Sequence, residues 1–129
     1  MCGACRAFRK LLQEFEKAGS PQQRLCAFVQ IKIKNRKELA RNGCPVGTLC
    51  AELRKLGAGA AVESEVLFAT ALAWMEKQFR ELGKGPESRR LAVHLLSATQ
   101  GVSVLAHTFH DSKFIEMEAA RLKKLIRGL

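Results

Sequence analysis

The sequence predicts an all-α protein, a bundle of about six helices, for three reasons. Ala, Leu, Lys, Arg and Glu dominate the composition and β-branched residues are few. Apolar residues recur every three or four positions along most of the chain, as they do on one face of an α-helix. Gly and Pro fall between these periodic segments, where helices begin and end. With 129 residues, the chain is long enough for one domain with a buried core.

The first two predicted helices are divided by a helix-start signal. An amphipathic helix covers residues 6–17. Ser20 then acts as the N-cap of a second helix over residues 21–41, and Gln23 completes a capping box. Residues 31–34 alternate like a strand, but so short an alternation does not outweigh the helical pattern around it.

Two further helices are predicted in the middle of the chain. A short helix over residues 46–55 follows a Gly-Cys-Pro break and ends at the Gly-Ala-Gly of residues 57–59. A longer helix over residues 63–82 carries one apolar stripe, with Trp74 beside it. The stripe consists of Phe68, Leu72, Met75, Phe79 and Leu82.

Residues 86–110 form a predicted helix without a charged face. No Lys, Arg, Asp or Glu lies between Arg90 and Asp111, so this helix has to be covered on nearly every side. About 20 uncharged residues would suffice for a membrane span, but His, Gln, Ser and Thr interrupt the run too often for hydrocarbon. We expect a helix buried by its own domain on one side and by a partner on the other. A last helix follows over Lys113–Arg127.

Charge alone suggests an alternative function. The chain carries 22 Lys and Arg against 12 Asp and Glu, a net charge of +10. A basic all-α module that binds nucleic acid or an acidic protein partner is therefore the alternative. However, the five basic residues within residues 32–41 scatter around their helix instead of forming one continuous face. A solvated surface accounts for them better.

The sequence contains no pattern that predicts an enzyme, a metal site or a cofactor. Cys2 and Cys5 match C-x-x-C without the strand-to-helix setting of a redox motif. Cys44 and Cys50 are poorly spaced to complete a zinc site with them. No nucleophile with a nearby base and no phosphate loop is recognisable. Residues 1–10 lack the apolar core of a signal peptide, so we expect a cytoplasmic protein that does not enter the membrane.

Three segments, taken in order, resemble a known family of regulators. They are GCPVGTLCAEL at residues 43–53, WMEKQF at residues 74–79, and LAVHLLSATQG at residues 91–101 followed by LAHTF at residues 105–109. Together they are similar to the C-terminal regulatory domains of TetR-family transcriptional repressors. The resemblance covers residues 20–129, and its order and spacing are more specific than any single motif.

The resemblance implies a homodimer with a small-molecule effector. Members of the family carry an N-terminal helix-turn-helix domain, which binds DNA, and a helical domain that binds the effector and dimerises through its last two helices. No helix-turn-helix domain is recognisable in this chain, so DNA would be bound only through a domain that the chain lacks. Residues 1–19 would be the remnant of the connecting helix, and residues 20–129 the ligand-binding and dimerisation domain.

The dimer would form a four-helix bundle from the last two helices of each subunit. Gly101 lies in the middle of a helix, where Gly costs about 1 kcal/mol relative to Ala. We interpret it as a point of close approach by a partner helix; the alternative is a Gly tolerated in an internal packing seam. The expected interface residues are Leu95, Ala98, Gly101, Val102, Leu105, Phe109, Ile115, Leu122 and Leu125.

The effector would be mostly apolar and would lie among the earlier helices. The alternative is ordinary core packing, which explains an apolar helical stripe more often than a ligand pocket does. Lys32 would face an anionic group of the effector together with Arg36, although packed stems with solvated charges explain both residues better. The expected ligand-binding residues are Phe28, Val29, Lys32, Leu49, Phe68, Leu72, Met75, Phe79 and His94.

Overall fold

The computed structural model describes residues 3–44, 55 and 58–129, and within these residues all regular structure is helical. The α-helices are α1 (Gly3–Glu16), α2 (Pro21–Lys34), α3 (Arg36–Asn42), α4 (Ala58–Glu81), α5 (Ser88–Phe109) and α6 (Lys113–Arg127), with a 3-10 turn at Gly85–Glu87. The prediction of an all-α protein is therefore confirmed. Apart from Lys55, the predicted helix over residues 46–55 lies outside the described residues.

The second predicted helix begins where expected but is divided by Asn35. The Ser20 hydroxyl accepts a hydrogen bond of 3.1 Å from the backbone N–H of Gln23, which confirms the N-cap. The prediction of one continuous helix over residues 21–41 was wrong, because Asn35 leaves helical geometry at φ −98° and ψ 15°. Asn is a weak helix former, so a break at this residue costs little. Packing then sets two directions for the chain, because α2 packs on α4 and α6, whereas α3 packs on α5.

Helix α4 starts earlier than predicted. We expected residues 57–59 to end the preceding helix and the next helix to begin at residue 63, but Ala58 and Gly59 already belong to α4. One Gly in a helix costs about 1 kcal/mol, and the flanking alanines, the strongest helix formers, help the helix to extend through it.

The main core lies where α1, α2, α4, α5 and α6 meet. Its centre is aromatic: the ring centroids of Phe15 and Trp74 are 5.8 Å apart, and those of Phe28 and Trp74 are 6.4 Å apart. Leu25 and Met75 are completely buried beside them. A smaller cluster joins α3, α5 and α6 through Leu39, Ala40, Cys44, Ala106 and Ile115. In the helices that the structure describes, no stretch is both long and apolar enough to cross a membrane.

A polar network around the buried Gln78 side chain ties α1 to α2 and α4. The Glu16 carboxylate accepts hydrogen bonds from the Trp74 indole N–H at 2.7 Å and from the Gln78 amide at 2.9 Å. Arg24 donates to the Gln78 carbonyl oxygen at 3.3 Å and to Glu81 at 2.9 Å. Gln78 is completely buried. The network therefore satisfies polar groups that would otherwise be costly to bury.

Candidate functional site

The buried side of helix α5 carries several small residues besides Leu95 and Leu96. Ala92, Thr99, Ser103 and Ala106 are all buried. The two hydroxyls are satisfied within the helix, because Thr99 donates to the Leu96 carbonyl at 2.9 Å and Ser103 donates to the Thr99 carbonyl at 2.8 Å. Small side chains with internally satisfied hydroxyls allow the neighbouring helices to approach α5 closely.

The other side of α5 is exposed, and it carries no charged residue from Leu91 to Phe109. Together with exposed apolar residues of α6, it forms a surface that we name the outer face. Phe109 and Phe114 stack on this surface, with ring centroids 5.4 Å apart. The exposed large apolar residues of the outer face are Val93, Val104, Leu105, Phe109, Met117 and Leu125. His94, Ser97, His107 and Thr108 lie exposed among them on α5, so the outer face is uncharged on this helix but partly polar. Clusters of exposed apolar side chains mark candidate interaction sites.

Gly101 lies on the exposed side of α5. A Cβ atom added to Gly101 would meet no atom within 4 Å. Among the described residues, Gly101 therefore does not lie in an internal packing seam, which was the alternative interpretation. Nothing described in this chain requires Gly101 to be small.

The residues expected at the dimer interface divide into two groups. One group is buried in the chain's own core and cannot contact a partner directly: Leu95, Ile115 and Leu122. The others are accessible: Ala98 and Val102 are half-buried, and Gly101, Leu105, Phe109 and Leu125 are exposed. On α5, Leu95 faces the core, Ala98 and Val102 lie at the edge of the buried side, and Leu105 and Phe109 face outward.

Part of the expected ligand site surrounds a small cavity, which we name the inner pocket. It lies among α1, α2, α4 and α5, and its volume is about 30 Å³. Phe28, Lys32 and Phe68 line it, and Lys32 Nζ lies 5.5 Å from the centroid of the Phe28 ring. The full lining is Phe8, Phe28, Lys32, Leu67, Phe68, Ala71, Leu96 and Gln100. Small-molecule sites usually measure about 300–1,000 Å³, so the inner pocket is too small for a typical ligand in this structure.

The other expected ligand residues do not join the inner pocket. Val29 and Met75 are buried within the main core, and Leu72 packs against it. Leu49 lies outside the described residues. Arg36, the proposed helper of Lys32, is engaged elsewhere, since its Nε lies 2.8 Å from Glu116 Oε1.

Phe79 and His94 come together in a larger depression, which we name the terminal groove. It lies where α4 ends, α5 begins and α6 ends, and its volume is about 420 Å³. Its residues are Phe79, Arg90, Leu91, His94, Leu95, Arg121, Leu125, Ile126 and Leu129. Phe79 and His94 were among the ligand-binding residues predicted from the sequence, whereas Arg90 and Arg121 were not. Both arginines are solvent-exposed in the folded structure, and only the packing of α5 against α6 places them at one groove.

A third depression is basic, and we name it the basic cleft. It lies between α3 and the turn from α5 to α6, with a volume of about 300 Å³. Lys37, Arg41, His110 and Ser112 line it together with Ala40. His110 occupies the left-handed region at φ 51°, which ends α5 and turns the chain into α6.

Among the described residues, no three His, Cys, Asp or Glu side chains are placed to hold a metal ion. A scan against protein-family models and a search of curated proteins gave no match to this chain. The resemblance to TetR regulatory domains therefore stays a prediction from the sequence motifs.

Proposed function

We propose that this chain is the effector-sensing and dimerisation module of a TetR-type transcriptional regulator in the cytoplasm. Two copies would assemble through their outer faces, and DNA would be bound by a separate helix-turn-helix domain. The observation that carries the proposal is the exposed, uncharged side of α5 around Gly101. In water, the free energy falls when a partner covers the exposed apolar residues of a helix.

The arrangement of α5 supports a link between effector binding and assembly. Leu96 and Gln100 line the inner pocket, while Gly101 and Leu105 lie on the outward side of the same helix. An effector that enlarges the inner pocket has to displace side chains of α5 and its neighbours. That displacement would change the relative populations of subunit arrangements, and with them the spacing of attached DNA-binding domains.

Sedimentation velocity tests the dimer. Wild-type protein is expected to sediment as a dimer, and Leu105→Asp as a monomer, because a carboxylate in the interface would be buried without a partner. Val62→Asp is the control, since Val62 is also an exposed apolar residue but lies on α4. A wild-type monomer at every accessible concentration would refute the proposal.

Thermal shift tests the effector site. A panel of small apolar compounds is expected to raise the melting temperature of wild-type protein but not of Phe68→Trp, which fills the inner pocket. If acids stabilise the protein no better than their neutral analogues, Lys32 has no role in binding them. If Phe68→Trp responds like wild type, the inner pocket is not the effector site.

The basic cleft favours a second candidate, the binding of nucleic acid. Its lining joins Lys37 and Arg41 from α3 with His110, although these residues are distant from His110 in sequence. This candidate predicts DNA binding that weakens steeply with salt. Lys37→Glu/Arg41→Glu should reduce it more than Arg9→Glu/Lys10→Glu, which changes the net charge equally on α1. Equal losses would assign binding to net charge alone.

A further inference from the structure

The walls of the terminal groove are apolar. Leu91 and Leu95 of α5 face Leu125 and Ile126 of α6, and Phe79 of α4 closes the inner side. Its volume of about 420 Å³ lies within the usual range for small-molecule sites, about 300–1,000 Å³. In contrast to the inner pocket, it has room for a small ligand in this structure.

The polar side chains that line the terminal groove are all basic. Arg90, His94 and Arg121 line it, and no acidic side chain among the described residues does so. Both guanidinium groups stay charged at any physiological pH. A hydrogen bond from Arg121 to Glu118 raises the pKa of Arg121 further. The groove therefore combines hydrocarbon walls with two guanidinium groups at its rim.

Each arginine of the rim already has an acidic neighbour on its own helix. Arg90 pairs with Glu87 and Arg121 pairs with Glu118, both as exposed i,i+3 pairs. Such pairs contribute little in water, typically about 0–1 kcal/mol. A guanidinium also has five N–H donors, so each arginine retains donors for a second carboxylate.

We propose that the terminal groove binds an amphipathic carboxylate. The hydrocarbon chain of the ligand lies between α5 and α6, and the ligand carboxylate accepts hydrogen bonds from Arg90 and Arg121. Charge complementarity selects this occupant, because apolar walls alone would accept a neutral molecule equally well. The inference does not depend on the inner pocket. Leu125 belongs to both the terminal groove and the outer face, so the experiment has to separate ligand binding from dimerisation.

Calorimetric titration with decanoate, below its micelle concentration, tests the proposal. Decanol is the neutral analogue. Decanoate is expected to bind wild-type protein on the order of tenfold more tightly than decanol does. Arg90→Gln/Arg121→Gln should lose this preference while still binding decanol. Arg89→Gln/Arg127→Gln, with the same change in net charge outside the groove, should keep it.

A matched pair of variants locates the site. Leu125→Asp places a carboxylate in the groove and should weaken decanoate binding by more than tenfold. Leu105→Asp is the control, because Leu105 is equally exposed, at 46% against 47% for Leu125, but lies outside the groove. Circular dichroism checks that both variants fold. Both positions belong to the outer face, so a loss in Leu125→Asp alone separates the groove from dimerisation.

Three results would overturn the inference. Decanol binding as tightly as decanoate would remove the role of the arginines. Unchanged binding by Leu125→Asp would place the ligand elsewhere. Decanoate affinity that falls with increasing protein concentration, and recovers in Leu105→Asp, would show that a second copy of this chain fills the groove instead.

Discussion

Trp74 donates a hydrogen bond of 2.7 Å from its indole nitrogen to the Glu16 carboxylate, across 58 positions of sequence. The bond joins the end of α1 to the middle of α4. Gln78 shares the same carboxylate oxygen. A charged acceptor makes both hydrogen bonds stronger than neutral ones, so Glu16 fixes how α1 lies on the bundle.

Glu16→Ala should lower the free energy of unfolding by about 2–3 kcal/mol, because it leaves the buried Gln78 amide and the Trp74 N–H without their acceptor. Urea denaturation followed by Trp74 fluorescence measures the loss. Glu14→Ala is the control on the same helix. Glu14 pairs with Lys17 in an exposed i,i+3 pair, and its removal should cost less than about 0.5 kcal/mol. Equal losses in the two variants would contradict the role assigned to Glu16.

Gly101→Leu should stabilise the single subunit and destabilise the dimer. An exposed helical Gly replaced by a better helix former stabilises the single subunit by about 0.5–1 kcal/mol, and no atom of the described chain obstructs the new side chain. A partner helix that approaches closely at Gly101 would be displaced. Light scattering should report a monomer or insoluble protein.

Ala73→Leu is the control for Gly101→Leu, since Ala73 is exposed on α4, beside polar residues. It should leave the mass of the assembly unchanged. An intact dimer of Gly101→Leu would rule out close helix approach at this position.

Ser88→Ala should preserve stability or raise it by about 1 kcal/mol. The Ser88 hydroxyl is buried and, among the described residues, has no hydrogen-bond partner, so its removal relieves a desolvation cost. Ser103→Ala is the comparison, because the buried Ser103 hydroxyl donates to the Thr99 carbonyl and its loss should not stabilise the protein. Thermal unfolding measures both variants; a clear loss of melting temperature for Ser88→Ala would point to a partner.

The ion pair between Arg36 and Glu116 should contribute less than its short distance suggests. Arg36 Nε lies 2.8 Å from Glu116 Oε1, but both side chains are partly exposed, at 34% and 49%. Solvent screening limits such a pair to about 1 kcal/mol or less. A double-mutant cycle with Arg36→Met and Glu116→Gln measures the coupling. A coupling well above 1 kcal/mol would mean that α3 depends on this pair for its position.

Local sequence patterns predicted the type of structure and several helix boundaries. The N-cap at Ser20 follows from short-range chemistry, since its bond to Gln23 spans only three residues. The last helix also covers Lys113–Arg127, as expected. The uncharged run after Arg90 was also visible in the sequence. It predicted a helix buried by its own domain on one side and by a partner on the other. In the structure, one side of α5 is buried by the chain and the other is exposed. Cover by a partner stays a prediction.

Tertiary packing decided what the patterns left open. A helix without a charged side gives no signal for which of two uncharged sides faces inward. Close approach by the neighbouring helices selected the side with Ala92 and Ser103 and left Leu105 and Phe109 outside. Packing also ended α2 at Lys34 and placed Arg90 and Arg121 around one groove. The sequence by itself determined that the protein is helical and where its uncharged helix lies, because these depend on neighbours along the chain. The faces, the polar network and the grooves depend on residues distant in sequence, so only the folded bundle determines them.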